Sequence, residues 1–473
     1  IISRNLVVLP NMSNISLANN GTHISLGSRK LSALLGDPQS GFEVRHEKYL
    51  GDLAIKIVEH FLPLFVGTYT AAPYRLDYWY FHPEKALGFL PHELDFTHLR
   101  MMWRRWKKKA KLKVFGQPIT PFGPEWLDRR ISRIFGLNGD FVQDFRLIDY
   151  PVSLLSTSES PALDGSCGSD KRLKQDLADM GVFDTAMPLY LLYRMREFAA
   201  KGFSGFEGRY YSLFEHIGED MSHAVSLQTL ITALAYKYIL KGELTHFHIP
   251  DDPVIESERR QVFFGTAIGI PTFYVHRSSK NVMMMKILNK VKKTRLSRRY
   301  KGYIRVHNLE YRRALIEVLR EDAADLIEMM RMEETIKDLN ERIENPSYSA
   351  AGKLTCGILN HAGAKSALSL SGDEFNQAAE QYYRDTLRRR HIKEALFAVT
   401  EDFGDLDAYS ILDRYDCKAA MYSILKHNSG ASHFLEKMIP DIMEETLSAD
   451  GLSTLIRLIV LSVYQDMQRL KGD

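Results

Sequence analysis

The chain has 473 residues, with 62 Lys and Arg against 59 Asp and Glu, for a formal net charge of +3. Hydrophobic residues make up 45% and charged residues 26%, which excludes a disordered chain, a collagen and a small disulfide scaffold. So small a basic excess also argues against a protein given over entirely to nucleic acid. Cys167, Cys356 and Cys417 are odd in number and far apart, so a reducing, cytoplasmic compartment is expected rather than a disulfide framework. No apolar run approaches the roughly 20 residues of a membrane span, and no secretory signal is read. The length suits roughly two to four domains.

Residues 1–41 are rich in Asn, Ser and Gly, and the sequons at Asn11, Asn14 and Asn20 read as polar loop. Thr22-His23-Ile24-Ser25-Leu26-Gly27 alternates and reads as a strand ending at a glycine. Apolar residues from Tyr49 to Leu62 recur at three- and four-residue spacing and predict a helix over 47–66. Residues 103–114 read as a basic helix carrying Trp103 and Trp106. Residues 116–126, with Pro118, Pro121 and Pro124, read as loop. A short strand at 144–150, a surface loop at 156–170 and helices at 171–180 and 188–200 follow. Gly202 to Phe214 reads as a strand, and 219–241 as a long helix with one broad apolar face. Beyond about 305 the pattern is helical. One long helix is expected from Ile316 to Ile343, broken at Asn345-Pro346 and followed by four or five more.

The stretch that points most directly to chemistry is Phe206-Glu207-Gly208-Arg209. Glu207 and Arg209 are two apart, so a strand sets them on one face. A carboxylate there suits Mg²⁺ and a guanidinium suits a pair of phosphate oxygens. The same pair also suits a plain salt bridge on a sheet surface.

This region resembles the glutamate–cysteine ligase and carboxylate–amine ligase superfamily. There a strand of the form apolar-Glu-x-Arg leads through a polar turn with Asp, here Asp220, into a long apolar helix. The His-bearing strand at 22–27 and the turn Thr70-Ala71-Ala72-Pro73-Tyr74-Arg75 are similar to two further pieces of that family, in the same order. The resemblance covers about residues 20–242. It implies an antiparallel sheet curved around an ATP–Mg²⁺ site, with helices on its outer face. It further implies Glu207 as Mg²⁺ ligand, Arg209 as phosphate contact, and His23 and Arg75 as substrate or nucleotide contacts. The reaction implied is amide formation from a carboxylate and an amine through an acyl phosphate. The glutamate-bearing first strand of the family is not found before His23. It is expected either upstream of residue 1, since the chain does not open on Met, or lost, leaving an inactive relative.

Other features point elsewhere. His246 and His248, read on one strand face with Asp251 and Asp252 beyond, suit Zn²⁺ or Fe²⁺, or simply two surface histidines before a turn. Gly265 to Pro271 lacks the Lys-Ser/Thr of a P-loop and reads as apolar packing. Gly-x-Ser-x-Gly is absent, which excludes the common serine hydrolases, and Cys167 has no evident His partner. Two basic segments, 103–113 and 286–305, suit a nucleic-acid strand, nucleotide phosphates, an anionic partner or a solvated face.

The sequence therefore predicts an α+β fold with a ligase-like domain over 1–304 and a helical region over 305–473. The expected function is ATP- and Mg²⁺-dependent carbon–nitrogen ligation. The rival is a non-enzymatic scaffold that binds nucleic acid or a protein through basic helices 103–113 and 286–305. Homo-oligomerisation through the C-terminal helices is expected under both.

Overall fold

The computed structural model describes residues 22–27, 29–71, 113–114, 117–120, 123–135, 205–210, 213–250, 271–297, 301–410, 417–426 and 429–472, with 255, 258, 259, 261, 262 and 266. The fold is α+β, mostly helical, and every described strand pair is antiparallel. The described strands form four small sheets rather than one long one. The expected elements at 144–150, 156–170, 171–180 and 188–200 lie outside the described residues, as do residues 103–112.

The chain begins with β1 (Thr22–Gly27), α1 (Arg29–Gly36) and α2 (Val44–Glu59). Glu43 caps α2 in a reciprocal arrangement with His46, whose Nδ1 accepts from the Glu43 amide at 2.9 Å. The α-helix stops at Glu59, short of the expected 66, because Pro63 cannot donate to the ladder; a 3₁₀ turn, Leu62–Leu64, replaces it. Every residue from Leu53 to Val66 is buried, so this segment runs through the core instead of lying on it.

Then come β2 (Thr70–Ala71), β3 (Lys113–Val114), β4 (Gln117–Thr120), β5 (Gly123–Pro124) and α3 (Glu125–Phe135). Pro118 and Pro124, expected in a loop, thus sit in a small three-stranded sheet. Each ladder there is only two residues long, so a missing N–H removes little. β6 (Gly205–Tyr210) and β7 (Leu213–Phe214) lie within the predicted strand. β6 pairs with β1 and β7 with β2. A π-helical turn, Ile217–Met221, then leads into α4 (Ser222–Leu240), which buries Leu227, Leu230, Ile231 and Leu234.

β8 (Thr272–His276), α5 (Val282–Leu288), β9 (Thr294–Leu296) and β10 (Tyr303–His307) build a three-stranded sheet ordered β8-β10-β9. Its inner face carries Phe273, Val275 and Val306, all buried. Phe273 meets Tyr311 edge-on at 5.3 Å between centroids. Among its described residues the region 286–305, expected as a basic helix, is helical only to Leu288, and Thr294–Leu296 pairs antiparallel with the strand that begins at Tyr303.

The single helix expected over 316–343 is three: α6 (Asn308–Asp322), α7 (Ala324–Met330) and α8 (Glu333–Glu344). The Asp322 carbonyl accepts from Lys237 Nζ at 2.8 Å, so a tertiary partner holds the group that would extend the ladder. Arg331, left-handed at φ 54°, ends α7. α8 stops where Asn345-Pro346 predicts. α9 (Ala350–His361) and α10 (Gly372–Gln381) follow, then α11 (Arg388–Ser410), α12 (Cys417–Leu425), α13 (Ala431–Met443) and α14 (Ala449–Gly472), one more than the upper expectation after 350.

By its contacts the chain forms two units, one of 1–215 and 223–382, the other of 216–222 and 383–473. Helices α6 to α10, which the sequence groups with the C-terminal region, belong to the first. The second has its own core of Phe403, Leu406, Met421, Leu425, Leu435 and Leu458. Within it Asp407 accepts from the amides of Ala431 and Ser432 at 2.7 and 2.9 Å and so caps α13. Gly430 allows that approach, since a Cβ there would lie 2.6 Å from Asp407 Oδ2. Among the described residues no helix is long and apolar enough to cross a membrane.

Candidate functional site

β1 and β6 come from widely separated parts of the sequence and pair antiparallel. Their register sets His23 opposite Arg209 and Ser25 opposite Glu207. Because strand positions alternate with period two, these four positions fall on one face of the ribbon. Three of the four residues singled out by sequence, His23, Glu207 and Arg209, are thereby brought together. Arg75 lies outside the described residues. Ser25, which the sequence did not mark, joins them through register alone. The next ladder sets Thr70 opposite Phe214 and Ala71 opposite Leu213, so the first two residues of the turn segment pair just beyond β6; the rest of that segment lies outside the described residues.

Asp220, expected in the polar turn after β6, is buried in the π turn, where its Oδ2 accepts from the His216 amide at 3.0 Å. His216 in turn meets Glu394 at 2.6 Å, and the Ile217 amide donates to the other oxygen of the same carboxylate at 2.7 Å. Within the C-terminal unit Asp220 and Glu394 therefore fix the turn, a structural task.

The first unit also holds a buried polar cluster that sequence reasoning missed. Arg259 and Glu59 are both fully buried and form an ion pair through Arg259 Nε. The two terminal nitrogens of Arg259 are buried with no hydrogen-bond partner among the described residues. His60, next to Glu59, donates from Nδ1 to the Lys56 carbonyl at 2.7 Å and accepts at Nε2 from the Asn281 amide at 2.9 Å. Burial, reinforced by the Arg259 charge, pushes the His60 pKa down to about 3, so the ring is neutral. Glu258 and Gln261 finish the outer edge of β8: Glu258 accepts from the His276 amide at 2.8 Å, and Gln261 donates to the Tyr274 carbonyl at 2.6 Å. In the sequence these residues are part of a charged run with no periodicity to mark them as interior.

His246 and His248 do not share a strand face. They lie in a turn closed by the His248 amide on the Thr245 carbonyl at 3.0 Å. His246 bridges Lys56 Nζ at 3.0 Å and the Tyr49 carbonyl at 2.9 Å, while His248 Nδ1 accepts from the Thr245 amide. Their ring nitrogens are committed to different partners. Among the described residues no group of three or more His, Cys, Asp and Glu side chains is arranged to hold a metal ion.

No protein-family model, curated protein or solved structure matches this chain. Function is therefore read from the site.

The described residues form an open cleft with a volume of about 830 Å³. It lies along β9, β10 and the start of α6 and is lined by Lys292, Lys293, Arg295, Arg305, His307 and Glu310, among others. The second basic segment of the sequence is thus a concave surface of the hairpin, not a helix.

Proposed function

We propose that this chain is an ATP- and Mg²⁺-dependent ligase of the carboxylate–amine type, with its reacting centre on the β1–β6 ribbon. The observation that supports this most is the register that sets His23 opposite Arg209 and Ser25 opposite Glu207. A sequence resemblance built on two distant strands requires those strands to be neighbours, and they are. The donor set fits the group it would hold: a carboxylate for Mg²⁺, and a guanidinium and an imidazole for anionic oxygens. When bound, Mg²⁺ neutralises the phosphates of ATP.

In this reading a substrate carboxylate oxygen attacks the γ-phosphorus of ATP, and ADP leaves with the bonding pair. The acyl phosphate is then attacked at carbon by the amine, which loses a proton as phosphate departs. In this reading Arg209 would stabilise charge on the transferring phosphoryl group, Glu207 would hold Mg²⁺, and His23 and Arg75 would orient substrate or nucleotide. Release of ADP in the presence of panels of carboxylates and amines is the direct assay. Glu207→Ala and Arg209→Ala are each expected to lower turnover by about 10²- to 10³-fold. Unchanged turnover in both variants overturns the assignment.

Self-association through the C-terminal unit completes the reading. On α14, Ile456, Val460, Val463 and Met467 are about half exposed and recur at spacings of four, three and four, the seam of a two-helix contact. Val460→Glu is expected to shift the light-scattering mass toward the monomer; an unchanged mass removes this interface.

A further inference from the structure

The basic segment 286–305 divides into two parts that differ in one respect. Lys286 pairs with Asp322 at 2.6 Å, Lys290 with Glu321, and Lys292 with Glu317 at 3.4 Å. Three lysines are thus neutralised by one acidic side of α6. Among the described residues Lys293, Arg295 and Arg305 make no ion pair. Moreover, β9 and β10 pair with Arg295 directly opposite Arg305. Direct partners on antiparallel strands have Cβ atoms about 5 Å apart and share a face, and like charges placed so repel. The one named carboxylate of the cleft does not relieve them, because Glu310 is held by Arg313 at 2.7 Å.

The next position across the sheet carries chemistry too. Arg305 lies opposite Tyr274 on β8, so one row of the face reads Arg295, Arg305, Tyr274. Tyr274 is half-buried, and His307 lies two positions along β10 in the cleft wall. Two guanidinium forks beside Lys293 match an extended anion with several charged oxygens, since each fork takes two oxygens of one phosphate. A volume of about 830 Å³ falls within the range of small-molecule sites.

We propose that the β9–β10 cleft binds a chain of two or more phosphates, with Arg295 and Arg305 each gripping one phosphate and Lys293 a point charge beside them. None of these residues belongs to the ribbon centre, and the inference holds whether or not the ligase reading does. The same chemistry is offered by a free polyphosphate or nucleotide tail and by the backbone of a single nucleic-acid strand.

The test is a titration of the full chain, in EDTA so that a magnesium-dependent centre is silent. The probes are inorganic tripolyphosphate and, separately, a labelled oligodeoxythymidylate. Saturable binding is expected, weakened roughly tenfold or more in Arg295→Gln/Arg305→Gln and less in Lys293→Gln. Tripolyphosphate should also raise the melting temperature of the wild type and not of the double variant. Tighter binding of tripolyphosphate assigns the site to a free phosphate chain. Tighter binding of the oligonucleotide through the same arginines, with a steep fall in salt, assigns it to a strand. If neither probe saturates, or if both bind the wild type and the double variant alike, the proposal is overturned. Should the double variant unfold, Lys293→Glu and Arg305→Gln singly carry the same comparison.

Discussion

Arg259 and Arg305 carry the same side chain in the same unit under opposite conditions. Arg259 is fully buried against the equally buried Glu59. Arg305 is partly exposed in an open cleft, opposite another arginine and with no carboxylate paired to it among the described residues. A buried pair exists because a lone interior charge is costly, and each partner is there for the other. An unpaired cationic pair in water costs little to keep and is ready for an anion from outside. Charge that is matched inside the protein is architecture; charge left unmatched at a concave surface is available for binding.

The largest expected effect breaks the architectural side. Glu59→Ala leaves Arg259 uncompensated in the interior and should cost about 3–5 kcal/mol of unfolding free energy in a denaturant titration. Replacing both residues by apolar side chains of similar volume should recover most of that loss. If Glu59→Ala is silent, the distinction between the two arginines fails.

The next effect is read by pH. The folded-state pKa of His60, about 3, lies below the ordinary 6.5 because the ring is buried beside Arg259. Between those values the unfolded chain binds a proton that the folded chain refuses. Stability therefore falls as pH drops from 6.5 toward 3, by about 1.4 kcal/mol per pH unit from this group. His60→Gln should flatten the acid limb of the stability profile by that slope. An identical slope in wild type and variant would show that His60 is accessible to protons in the folded state.

A smaller effect tests the platform of the cleft. Gly302 sits in the β9–β10 turn at φ +84°, and a Cβ there would lie 2.7 Å from His276 Nε2. Gly302→Ala should cost about 1–2 kcal/mol and weaken phosphate binding along with the hairpin register. The smallest effect belongs to the unmatched arginines. Arg305→Gln without ligand should change stability by less than about 0.5 kcal/mol, or raise it by about 0.2–1 kcal/mol through relief of repulsion. A large loss would mean that Arg305 is structural.

Local pattern was legible where the chain obeys one period. The alternation of Thr22 to Gly27 identifies β1, the strand read over Gly202 to Phe214 contains β6, and the apolar spacing of 221–238 identifies α4. Asn345-Pro346 ends α8 because the prohibition is local. Failures came where tertiary partners override local preference. Lys56, Glu59 and His60 look like the wet side of an amphipathic helix, yet all three are buried, because partners at 246, 249, 259 and 281 wait for them. The basic run 286–305 looks uniform, yet acidic residues on α6 neutralise its first half and leave Lys293, Arg295 and Arg305. No window of sequence contains both halves of that arrangement.

The sequence by itself determined where β1, α4 and the end of α8 lie and which residue types are on hand for phosphate chemistry, because those follow from local spacing and from side-chain chemistry. Only the tertiary structure decided that His23 stands opposite Arg209, that Arg295 stands opposite Arg305 and that Arg259 is sealed against Glu59. Strand register and burial are set by hydrogen bonds and packing between residues far apart in the chain, where neighbouring residues exert no control.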